Sequence, residues 1–299
     1  MINVGTTLPT WGTPVTETGL HALAAMVEDA DLDAIWFGDH LLLSARDVET
    51  YPYWEKFLLP VEDDWFDPLI CAAQVAGRPS STDVVIGVAL AAVRPPLELA
   101  RQMASLSWLA GESKVVLGVG TGWSRAEHEA MGMDFDTRGQ ALDHAIDLIR
   151  QVWTGEPEPG DYGRFHIPPG TFTNPQPAQE ISILVGGNAN VPLRRAARRG
   201  DGWVGYLADW EDDCASLSEL VDRLHGYCAD IGRDPAELEL AVVQTVPGRV
   251  TKDADPRSRI AELFEQYAAI GVTRVSMGMG WHDLDAVRRF LAAAAQARG

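Results

Sequence analysis

Hydrophobic positions along this chain alternate between two rhythms. Short runs rich in Val and Ile are followed by longer stretches whose apolar residues recur every three to four positions. Continuous apolar runs read as strands covered on both faces, and the three-to-four spacing reads as helices burying one stripe. The runs lie at 2–8, 34–38, 84–90, 115–120, 181–185, 202–206, 238–244 and 274–279. The helical stretches lie at 17–31, 95–109, 138–153, 191–199, 216–230, 257–270 and 284–295. Eight strand runs with these seven helical stretches predict an α/β protein, a closed (β/α)8 or TIM barrel, as one domain over 1–299. That architecture directs attention to the C-terminal ends of the strands, where barrels of this kind place their chemistry.

Two segments interrupt the rhythm. Residues 39–67 hold Tyr51, Tyr53, Trp54, Phe57, Trp65 and Phe66; a connection this long is functional or disordered, and its aromatic content argues against disorder. Residues 154–180, rich in Gly and Pro, read as an insertion before the fifth strand, with a short hairpin over 162–167.

Composition narrows the partners. Of 299 residues, 46% are hydrophobic and 22% charged, as in a soluble globular protein with a full core. A formal net charge of −19 speaks against nucleic acid, whose phosphates need clustered Lys and Arg, and against anionic lipid. No apolar run approaches the roughly 18 residues of a membrane span, and the N-terminus carries no basic and apolar signal segment. Cys71, Cys214 and Cys228 form no Cys-x-x-Cys pair, so neither zinc nor a redox dithiol is signalled, and a reduced cytoplasmic setting fits. The strand ends lack clustered His and Asp, so no metal site is expected.

Candidate chemistry sits at three strand ends. Asp39-His40 closes the second strand; an imidazole ordinarily titrates near neutrality and suits proton transfer, with Asp39 orienting it or facing a helix start, while the plainer reading is a histidine bonded to a loop carbonyl. Gly118-x-Gly120-Thr121-Gly122-Trp123 closes the fourth strand, either as a thin backbone wall for a flat ring or phosphate or as a tight turn with a core Trp. Gly186-Gly187-Asn188 closes the fifth, as a phosphate turn at a helix start reinforced by Arg194 and Arg195, or as an ordinary βα turn. His128 and His144 read as helix-surface residues.

Four motifs in this order carry a resemblance. They are Ile35-Trp36-Phe37-Gly38-Asp39-His40, Pro95-Pro96-Leu97-Glu98-Leu99-Ala100-Arg101, Val116-Leu117-Gly118-Val119-Gly120-Thr121-Gly122-Trp123, and Leu184-Val185-Gly186-Gly187-Asn188 with the arginines after it. The chain resembles the luciferase-like monooxygenase superfamily, in particular the branch that uses the deazaflavin coenzyme F420. The resemblance implies a flavin or deazaflavin across the strand ends, with its ring near Asp39, His40, Ala91 and Gly120. It implies a phosphate tail at Gly186, Gly187 and Asn188. It also implies a bulge with a non-proline cis peptide on the third strand, within Gly87-Val88-Ala89-Leu90-Ala91-Ala92, and a homodimer. The chemistry implied is hydride transfer between coenzyme F420 and a small, partly apolar organic molecule, with His40 moving the proton. Two alternatives stay open: an FMN monooxygenase using molecular oxygen, and a barrel that binds flavin without catalysis.

Overall fold

The computed structural model describes residues 2–47, 51, 61–78, 80–208, 210 and 214–298. Its strands in chain order are β1 (Asn3–Thr7), β2 (Ala34–Phe37), β3 (Asp83–Ala89), β4 (Val115–Val119), β5 (Gly160–Tyr162), β6 (Phe165–Ile167), β7 (Ser182–Gly186), β8 (Gly202–Leu207), β9 (Glu239–Thr245) and β10 (Arg274–Gly278). Eight of them close a parallel barrel in the order β1-β10-β9-β8-β7-β4-β3-β2, while β5 and β6 form the separate hairpin of the insertion.

The helices are α1 (Leu20–Asp29), α2 (Pro68–Ala76), α3 (Pro96–Leu109), α4 (Arg125–Ala130), α5 (Arg138–Trp153), α6 (Asn190–Arg199), α7 (Ala215–Ala229), α8 (Gly248–Thr251), α9 (Arg257–Ile270) and α10 (Leu284–Ala297). Two of those that bear on the site were not foreseen. Helix α2 is apolar almost all round, so it shows no stripe; Pro68 opens it, and Asp67 caps it by accepting from Leu69 N and Ile70 N. Helix α4 spans six residues, too short for a period, and is started by Ser124 accepting from Glu127 N at 3.2 Å. The hairpin pairs Gly160 with Ile167 and Tyr162 with Phe165, so its first strand begins two residues before the expected segment.

Two apolar layers result. The larger lies between the barrel wall and the helices, and includes Phe37, Leu99, Ile149, Leu193 and Phe290. The smaller fills the lumen with alternate residues of the strands: Ala34 and Trp36, Val85, Val116, Leu184, Val204 and Ala241. This period of two follows from side chains alternating across a strand. Below the lumen layer, Arg274 reaches Asp83 at 3.0 Å, Glu239 at 2.6 Å and Asn3 at 3.1 Å, joining four strands at the N-terminal end of the barrel. Burial opposes the charge of Arg274, but Glu239 and Asp83 outweigh it and raise its pKa. Among the described residues no helix is long and apolar enough to cross a membrane.

Candidate functional site

The C-terminal ends of the eight strands share one face of the barrel, and strand β3 shapes it. Its register against β4 shifts between Ile86 and Ala89, and the Gly87–Val88 peptide is cis. Gly87 lies on the indole of Trp36; a Cβ there would sit 2.4 Å from Trp36 Cε3. Val88 is turned into the mouth and occupies the space beside three glycines of the neighbouring strands. Cβ atoms at Gly118, Gly120 and Gly186 would lie 2.8–3.0 Å from the Val88 methyls. Glycine is therefore required at these positions because the bulge fills the room that side chains would take. The glycine-rich end of β4 is a packing partner of Val88, a reason the sequence pattern alone does not distinguish from ligand approach.

Asp39 and His40 part company after β2. The Asp39 side chain is 1% exposed and faces β3, where Oδ2 accepts from Leu90 N (2.9 Å) and Arg94 Nε (2.8 Å) and Oδ1 accepts from Arg94 Nη2 (2.8 Å). Arg94 also reaches Asp67 Oδ2 at 2.8 Å. Burial works against the Arg94 charge, and the bonds to Asp39 and then Asp67 more than offset it, holding its pKa above the ordinary value. The expectation that Asp39 orients His40 is corrected: the group beside the imidazole is Glu127 of α4. Both Glu127 oxygens lie 3.3 Å from His40 Nδ1, and Oε1 also accepts from Leu41 N at 2.8 Å and Leu42 N at 3.3 Å. The Glu127 side chain is wholly buried. In return, Asp47 accepts from Ser124 Oγ (2.5 Å) and Ala126 N (2.9 Å) at the start of α4. The segment after His40 and helix α4 thus hold one another by reciprocal carboxylates.

Aromatic rings surround the imidazole. Trp65 and Trp123 stand edge-to-face to it, with centroids at 5.9 and 5.8 Å. Trp11 stacks on Trp65 at 4.9 Å, and Tyr51 meets Trp123 edge-on at 5.0 Å. Tyr53, Trp54 and Phe57, expected in the same loop, lie outside the described residues.

The remaining expected residues are placed as follows. Thr121 and Gly122 are partly buried in the turn after β4. Gly122 has φ +77° and is backed by the His128 ring. His128 is fully buried, its Nδ1 2.9 Å from Ser124 O, which corrects its reading as a surface residue. His144 is partly buried and lies under the hairpin turn at Gly163. Ala91 is buried and lines a cleft of about 260 Å³ at the outer rim with Arg94, His144 and Tyr162; Val88 is the β3 residue in the mouth. The Asn188 side chain is tied to β8, accepting from Tyr206 N at 3.0 Å and donating to Tyr206 O at 2.6 Å. It fixes the Gly186-Gly187 turn, where Gly187 has φ +124°. Arg195 is buried against Asp143 and Gly139 O, and Arg194 lies over Tyr227, so neither reinforces that turn. Among the described residues, Arg223 comes to the start of α6, its Nη1 donating to Asn190 Oδ1 at 3.0 Å. Val88, Glu127 and Arg223 were missed, since each acts through a contact distant in sequence.

Comparison with known proteins places this geometry. The model of a family described as luciferase-like monooxygenase matches residues 7–297. An uncharacterized protein of Mycobacterium tuberculosis is 44% identical over 153 residues, covering 50% of this chain and 49% of that protein. The chain thus matches about half the length of that relative. The F420-dependent hydroxymycolic acid dehydrogenase of the same organism is 29% identical over 221 residues, covering 73% of this chain and 55% of that enzyme. Among solved structures, an F420-dependent secondary alcohol dehydrogenase with an F420-acetone adduct superposes with a TM-score of 0.77 over 100% of both chains at 14% identity, a likeness of fold.

Proposed function

The chain belongs to the luciferase-like monooxygenase family, and within it we propose an oxidoreductase that works with the deazaflavin coenzyme F420 on a small, partly apolar organic substrate. The observation that carries this reading is His40 at a barrel strand end, its Nδ1 held by the buried carboxylate of Glu127. In this reading the imidazole exchanges a proton with the substrate oxygen. Glu127 sets the ring's orientation.

The mouth fits a flat coenzyme ring. A Cβ at Gly38, between Trp36 and His40, would meet nothing within 4 Å, so open space lies against the backbone there. Among the described residues, Trp36 Nε1 is a buried donor without a hydrogen-bond partner. Val88 would back the ring, with Gly120 and Thr121 along its edge, and the Gly186-Gly187 turn with the start of α6 would take the phosphate, with Arg223 at hand. Asp39 and Asn188 would act one step away, by fixing β3 through Arg94 and the phosphate turn through Tyr206. Once bound, the deazaflavin would supply or accept a hydride and react poorly with oxygen. A homodimer and a cytoplasmic setting complete the reading.

Parallel fluorescence titrations with coenzyme F420 and FMN test the cofactor. Preferential binding of F420 is expected, and preference for FMN would move the protein to oxygen-dependent chemistry. His40→Ala separates an enzyme from a passive binder: turnover should fall by about 10²–10⁴-fold, as for loss of a general acid–base group, with coenzyme affinity unchanged.

A further inference from the structure

We propose a second binding site, outside the mouth, for a small organic carboxylate. It is the cleft of about 260 Å³ between the β5–β6 hairpin, helix α5 and the turn after β3. In a chain with 43 acidic and 24 basic residues, two arginines and a histidine line this cleft, and no Asp or Glu does so among the described residues. The three contribute differently. Arg94 spends its charge on Asp39 and Asp67 through Nε and Nη2, so what it brings to the cleft is Nη1, the nitrogen those bonds leave over. Arg164 makes no ion pair among the described residues; its guanidinium lies over the Phe165 ring at 5.0 Å and keeps an unmatched charge. The neighbouring Asp161 pairs with His166 instead, at 2.7 Å. His144 stands under the hairpin turn, where Gly163 at φ +65° has no side chain to displace the ring. Among the described residues its nitrogens have no hydrogen-bond partner.

The rest of the wall is apolar, with Ala91, Ala92, Met133 and Ala145 on one side and Tyr162 and Phe165 from the hairpin on the other. Donors beside apolar surface fit a ligand with one carboxylate and a small hydrophobic body. Charge-assisted bonds from the two guanidinium groups offset the cost of drawing the carboxylate partly out of water. An ammonium would find Arg164 and no carboxylate to hold it. The volume lies below the roughly 300–1,000 Å³ of drug-sized pockets, which limits the body to one ring or a short alkyl chain. His40 does not line the cleft; the link to it runs from Arg94 to Asp39, the residue before it. Occupancy is therefore independent of the coenzyme.

Isothermal titration calorimetry on the coenzyme-free protein tests the site, with benzoate, benzamide, benzylamine and inorganic phosphate as probes. Benzoate should bind at least about tenfold more tightly than its neutral and cationic isosteres, a difference of about 1.4 kcal/mol, and more tightly than phosphate. Arg164→Gln should weaken benzoate by about fivefold, the upper end for an exposed charge pair, and Arg164→Lys, which keeps the charge, should lose less. His144→Leu keeps bulk beneath the hairpin turn while removing the ring nitrogens, and should weaken benzoate by a similar factor. Arg125→Gln, at an exposed arginine paired with Asp136, should leave the affinity unchanged, which separates the cleft from the general charge of the surface. Hydrogen exchange over residues 160–167 should slow when benzoate is bound. Parental affinity in both Arg164→Gln and His144→Leu would overturn the proposal, as would benzamide or phosphate binding as tightly as benzoate. So would protection confined to the strand ends around His40, or no heat from benzoate at millimolar concentration.

Discussion

A carboxylate 87 residues away decides what His40 can do. Among the described residues, Glu127 is buried without an opposing Lys or Arg; its partners there are the imidazole and two backbone N–H groups of the segment that follows it. Glu127→Gln keeps an oxygen for Leu41 N and Leu42 N, so the fold should survive, while the charge facing His40 is lost. A hydrogen bond to a charged group is worth about 1.5–3 kcal/mol, which corresponds to a roughly ten- to hundredfold loss of kcat. Coenzyme affinity should stay unchanged, and steady-state kinetics with parallel titration check the split. Glu127→Ala strands the N–H donors as well and should lower stability by about 1–3 kcal/mol per orphaned group, read by chemical denaturation. His40 itself was legible in the sequence, because a strand end in a barrel is a defined place. Glu127 was not, because a single carboxylate inside Ser124-Arg125-Ala126-Glu127 carries no sign of what lies opposite it.

At the level of elements, the β3 bulge organises the mouth by volume. Val88 stands where Gly118, Gly120 and Gly186 have no side chains, so β3, β4 and β7 fit together only as a set. Gly186→Ala would place a Cβ 2.8 Å from Val88 Cγ1 and should cost about 1–3 kcal/mol, as overpacking does. Val88→Ala removes the obstructing methyls, so the double variant should recover part of that loss; strict additivity in the denaturation cycle would refute the contact. The glycines were visible in the sequence and their reason was not: the pattern Gly-x-Gly-x-Gly serves ligand approach and side-chain accommodation equally well. Long strands and amphipathic helices were legible for the converse reason, since their period records burial directly. Helix α2 escaped because apolar residues on all sides leave no period, although Asp67-Pro68 is a start signal, and α4 because six residues are less than two turns.

The whole molecule divides its work between the two ends of the barrel. At the C-terminal end lie His40, the indoles and the glycine turns; at the N-terminal end Arg274 ties Asp83, Glu239 and Asn3 across the base of the lumen. The Arg274 side chain is only 7% exposed, and its acidic partners come from β3 and β9. Arg274→Ala would leave two carboxylates at the barrel base with their shared cation gone. Breaking a buried pair in this way costs about 3–5 kcal/mol, and the loss should appear in full as a lower denaturation midpoint. The lumen layer of Trp36, Val85, Val116, Leu184 and Val204 stands between that base and the mouth, so what remains folded should bind coenzyme and turn over as the parent does. A variant that kept its stability would show that the base does not hold the barrel closed. One that lost kcat below its melting transition would show that strain at the base travels up the strands to His40, and the separation of the two ends would then fail.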